Sequence, residues 1–78
     1  MKVSKDLQME ILWRLYKAYP NCLFEDKLRK ASMPEPVTLE EIQGACIYLQ
    51  DKGRVVKTND GWKITASGID FLEEQNLV

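Results

Sequence analysis

The sequence predicts an α+β domain, mostly α: three helices, a two-strand β-hairpin and a C-terminal helix. Three observations carry this. Apolar residues recur at helical spacing in three separate stretches between Leu7 and Leu49. A β-branched run, Arg54 to Thr58, meets Asn59-Asp60-Gly61 and returns through Trp62-Lys63-Ile64, which reads as a hairpin. After it, Thr65 opens a last segment in which Ile69 and Leu72 share one face. With 78 residues the chain has material for one core, so 1–78 is read as a single domain.

The first helix is expected from Lys5 to Tyr19. Leu7, Ile11, Leu12, Leu15, Ala18 and Tyr19 form its apolar face, Ser4 is the expected N-cap, and Pro20-Asn21 the stop. Met9, Trp13 and Tyr16 make a second stripe beside the first. A helix apolar over so much of its circumference is covered on more than one side, either by the C-terminal segment or by another subunit. A shorter second helix is expected from about Leu23 to Ser32, with Phe24, Leu28 and Ala31 on one face. Pro34 and Pro36 then break the chain. Thr38-Leu39-Glu40-Glu41 is a capping box that starts the third helix. Leu39, Ile42, Ala45, Cys46 and Leu49 are its expected buried face, and Gly53 its C-terminal cap. The last helix runs from Ala66 to about Glu74.

Composition removes several classes of function. There is no histidine, so His-based acid–base catalysis is absent, and two cysteines 24 positions apart make neither a disulfide framework nor a four-ligand zinc site. No nucleophile–base pair or glycine-rich phosphate loop stands out, so no enzyme, cofactor or metal is expected. No stretch reaches the length of a membrane span and no signal peptide is evident, which points to a cytoplasmic binding module. The net charge of −1 conceals segregation. Residues 1–34 carry +3, residues 35–51 carry −4, residues 52–63 carry +3 and residues 64–78 carry −3.

The element order, with the exposed pair of third helix and hairpin, suggests a winged helix. The stretch Leu49-Gln50-Asp51-Lys52-Gly53-Arg54-Val55-Val56, followed by Gly61-Trp62-Lys63-Ile64-Thr65-Ala66-Ser67-Gly68-Ile69-Asp70-Phe71-Leu72, resembles the recognition-helix end, wing and following helix of small bacterial and phage winged-helix regulators. The ArsR-, MarR- and PadR-like groups share this cadence: a leucine, a helix-ending Lys-Gly, a β-branched strand, then aromatic–x–aliphatic–Thr–x–x–Gly. The likeness covers about a third of the chain well. It implies a helix-turn-helix fold and a role in transcription regulation, although winged helices serve DNA and protein partners alike. Metal sensing, known among ArsR-like proteins, needs clustered Cys or His, and this chain has neither.

If double-stranded DNA is the partner, Thr38, Gln43 and Tyr48 are the expected groove contacts on the third helix. Lys52, Arg54, Lys57 and Lys63 of the wing, with Lys27 and Lys30 of the second helix, would hold phosphates. Against this, no base lies between Thr38 and Asp51, and Glu40 and Glu41 would repel phosphates. Alternating hairpin lysines also guard an edge against aggregation. The rival is a protein-interaction module that uses the outward face of the third helix or the first-helix stripe. Helical projection puts Glu40, Gly44, Ile47 and Asp51 opposite the core, and the loop with Met33 and Val37 is expected to fold over Gly44 and Ile47. Met9, Trp13, Tyr16 and Phe71 are the expected homodimer surface, a placement the resemblance shares.

Overall fold

The computed structural model describes residues 5–29 and 37–75. Helix α1 spans Lys5–Ala18, α2 Glu25–Leu28, α3 Leu39–Asp51 and α4 Ala66–Glu74; strands β1 (Val55–Thr58) and β2 (Gly61–Ile64) form the hairpin between α3 and α4. This is the mostly helical α+β, winged-helix-like arrangement that the element order predicts. The expected α1 N-cap, Ser4, and the Ser32–Pro36 segment lie outside the described residues.

One core joins all the elements. Ile11, Leu12 and Leu15 of α1 meet Leu28 of α2 and Ile42, Ala45, Cys46 and Leu49 of α3. Val55, Trp62 and Ile64 of the hairpin and Leu72 of α4 complete it. No polar or charged residue among those described is buried with them. Burial of this set is the main favourable term for the fold, at about 25 cal/mol per Å² of apolar surface removed from water.

Two local motifs set the ends of α3. At its start the Thr38 hydroxyl oxygen accepts from the Glu41 backbone N–H at 3.1 Å, and the Glu41 carboxylate faces the Thr38 N–H at 3.4 Å. At its end Gly53 takes φ +79°, its N–H donates to the Gln50 carbonyl (2.9 Å) and the Arg54 N–H donates to the Leu49 carbonyl (3.0 Å). These two bonds are the Schellman pattern, which satisfies carbonyls a helix end would otherwise leave open.

The second helix departs from expectation. It holds one turn, and Leu23 lies outside it in extended chain, bridged antiparallel to Trp62. The Leu23 N–H donates to the Trp62 carbonyl at 2.9 Å and the Trp62 N–H donates back at 2.8 Å. β2 is therefore a central strand, with β1 on one side and Leu23 on the other. Side chains alternate along extended chain. Leu23 packs on the core, so Phe24 turns away and is 45% exposed rather than sharing the face of Leu28. Arg29 leaves helical geometry at φ −92°, ψ 41°, which ends α2 at Leu28, and the rest of the expected span, 30–32, lies outside the described residues.

Thr65 and Gly68 lock α4 onto the hairpin. The Thr65 hydroxyl oxygen accepts from the Gly68 N–H (3.2 Å) and the hydroxyl donates to the Gly53 carbonyl (2.6 Å). The Thr65 N–H donates to the Arg54 carbonyl at 3.0 Å. A Cβ on Gly68 would run into that same Arg54 carbonyl and into Ile64 Cγ1. The Thr–x–x–Gly cadence thus has a structural cause, the close approach of a helix start to the first strand.

Candidate functional site: the outward face of α3 and the hairpin

The face of α3 opposite the core is solvent-facing. Ile47 is 46% exposed and Tyr48 38% exposed, and Glu40, Glu41, Gln43, Gln50 and Asp51 are all exposed. Two expectations fail on this helix. Val37 packs against the core cluster and leaves Ile47 uncovered, while Met33 lies outside the described residues. Leu39, expected in the core, is 42% exposed. It is the first residue of α3, one turn beyond Ile42, and a single-turn α2 gives little to cover it.

The expected groove contacts are unequal. Gln43 and Tyr48 are free to meet a partner. The Thr38 hydroxyl is committed to the capping box, accepting from the Glu41 N–H and lying 3.2 Å from its carboxylate.

Lys57 and Lys63 of the hairpin do not share a face. Val55 pairs with Ile64, Val56 with Lys63 and Lys57 with Trp62. Directly paired residues project to the same face and neighbours along a strand to opposite faces, so Lys57 and Lys63 stand on opposite sides of the ribbon. Lys57 is on the core side with Trp62, its Nζ 5.5 Å from the centre of the buried indole. Its charge reaches Cys46 of α3, whose thiol is pushed up to about 12, chiefly by burial and secondarily by Glu25 of α2, with Lys57 opposing. Lys63 lies over Tyr19 at 5.5 Å. The Arg54 guanidinium stacks 3.7 Å above the Phe71 ring and is half-buried against α4. Lys52 sits over Tyr48 at 5.5 Å, at the end of α3. Contacts of this kind are worth about 0.5–1 kcal/mol where exposed, so they bias the side chains without fixing them. Lys27 of α2 and Arg29, its C-cap, are exposed; Lys30 lies outside the described residues.

The expected dimer residues are all half-buried within one chain. Met9, Tyr16 and Phe71 pack against the core, Trp13 stacks on Tyr16 with centroids 5.9 Å apart, and Lys17 covers the Trp13 ring at 5.7 Å. Among the described residues, the large apolar side chains that remain exposed lie elsewhere: Leu39, Ile47 and Tyr48 on α3, and Tyr19, Phe24 and Val56 around the sheet. Sequence reasoning missed the second of these groups. Its signal was the extended Cys22-Leu23-Phe24 alternation, masked by the helical spacing of Phe24 and Leu28.

Among the described residues no group of three or more His, Cys, Asp or Glu side chains is placed to hold a metal, and no helix is long and apolar enough to cross a membrane. Comparison with protein-family models, with curated proteins and with solved structures finds no match to this chain.

Proposed function

We propose that this chain is a winged-helix-like binding module of the regulator type, and that the outward face of α3 engages a protein partner. The observation that carries this is Ile47. It stands 46% exposed at the centre of a helix face bounded by Glu40 and Asp51, with Tyr48 beside it and no base from 39 to 51. Apolar surface held in water is an asset when another apolar surface removes it, by about 25 cal/mol per Å². A phosphate backbone offers no such gain and meets the carboxylates unfavourably. The two free thiols fit a reducing, cytoplasmic setting.

A second reading, DNA binding in transcription regulation, is favoured by the +3 block of residues 52–63, with Lys27 and Arg29 exposed at α2 and Gln43 and Tyr48 exposed on α3. Fluorescence anisotropy with mixed-sequence duplexes, titrated at several salt concentrations, separates the two. The docking reading expects no affinity that rises as salt falls. Salt-dependent binding that disappears in Lys57→Glu/Lys63→Glu and survives Ile47→Asp would establish the DNA reading instead.

A further inference from the structure

We infer that the segment seated on α3 is a cationic amphipathic helix of another protein, with an apolar centre and Lys or Arg on both sides of it. This rests on the docking reading above and specifies the partner's chemistry. Ile47 is the apolar centre, with Tyr48 adjoining. Glu40 lies seven residues before it and Asp51 four residues after, both exposed. At 1.5 Å per residue the carboxylates stand roughly 10 Å and 6 Å from Ile47 along the axis, on the same side of the helix. A helix packed at about 8–10 Å that buries a leucine on Ile47 brings its own flanking positions near those acids. Lys52, at the C-terminal end of α3, is turned over Tyr48. Charges arranged in this way select partner and register more than they add affinity. A second copy of this chain is the weaker occupant. The α1 stripe it would offer is half-buried already, with Lys17 drawn onto Trp13.

The test uses two labelled helical peptides of one pattern, leucine on one face and either lysine or glutamate on the other, titrated into the full chain. The Leu/Lys peptide is expected to bind, and Ile47→Asp to weaken it at least tenfold. Glu40→Lys/Asp51→Lys should weaken it as much and confer binding of the Leu/Glu peptide. The control Glu73→Lys/Glu74→Lys adds the same charge on α4 and should change affinity less than twofold. All these positions are exposed, so circular dichroism should report an unchanged fold. If the Leu/Glu peptide binds wild type as well as the Leu/Lys peptide and Ile47→Asp weakens both, the inference on charge falls while docking on α3 stands. If the control costs as much as the α3 pair, the attraction is net charge alone and the inference falls. If binding ignores Ile47, both the inference and the docking reading fall. Self-association by sedimentation, abolished by Ile47→Asp, would make a second copy the occupant and overturn the inference.

Discussion

At Gly68 two effects of opposite sign meet. Alanine inside a helix is worth about 1 kcal/mol over glycine, so propensity alone favours Gly68→Ala. The added Cβ would collide with the Arg54 carbonyl oxygen, which is backbone and already accepts from the Thr65 N–H. Overpacking of this kind costs about 1–3 kcal/mol, and here the neighbour cannot rotate away. Urea denaturation should therefore show Gly68→Ala destabilised, and an unchanged or raised midpoint would refute the close approach. Cys46 makes a prediction about pH. The folded thiol is pushed from the ordinary 9.0 up to about 12 by burial, and the unfolded one keeps the ordinary value. Below pH 9 both states hold the proton and the contribution is complete. Above it the unfolded chain ionises first, so stability declines as pH rises toward 12. Urea midpoints of wild type should fall more steeply than those of Cys46→Ala above pH 9; parallel curves would exclude this thiol as a source.

At the scale of elements, the two threonine caps are chemically alike and structurally unequal. Thr38 caps α3 in an exposed box closed by hydrogen bonds to Glu41 of the same helix. Thr65 caps α4 and also donates to the Gly53 carbonyl, joining the end of α3 to the start of α4 across the hairpin. Loss of an N-cap costs about 0.5–2 kcal/mol, and each further hydrogen bond about 1 kcal/mol. Thr38→Ala should fall near 1 kcal/mol and Thr65→Ala near 2 kcal/mol. Equal losses in chemical denaturation would show that the bond to Gly53 adds nothing. Both caps were legible in the sequence, because a cap is a short-range motif. The bridge of Leu23 to Trp62 was not, because a strand of one residue has no periodicity to read.

For the whole molecule, oligomeric state is a question of how much apolar surface remains. A standard interface removes about 800 Å² from each partner. Met9, Trp13, Tyr16 and Phe71 are half-covered by their own chain, and what they still expose is small beside that. Sedimentation equilibrium at micromolar concentration should find wild type and Trp13→Ala both monomeric. A wild-type dimer that Trp13→Ala dissociates would restore the α1 and α4 stripe as a dimer surface. On α3, by contrast, Leu39, Ile47 and Tyr48 stay exposed, which ties this expectation to the docking proposal.

By itself the sequence determined the order of the elements, the buried face of α3 from Ile42 to Leu49, the capping box at Thr38 and the helix-ending glycine at 53. Each is governed by interactions within about four residues, through helical periodicity or through a side chain reaching its own backbone. Tertiary structure decided the rest. Lys57 and Lys63 look like one basic patch in a linear charge count, yet the register of β1 on β2 sends them to opposite faces. Arg54 became a lid on Phe71, 17 residues away, which no local pattern encodes. Ile47 was legible as outward-facing, but its exposure and the packing of Val37 onto the core were set by the tertiary structure. Local chemistry fixes elements; pairing register and packing fix which charges and which apolar atoms a partner meets.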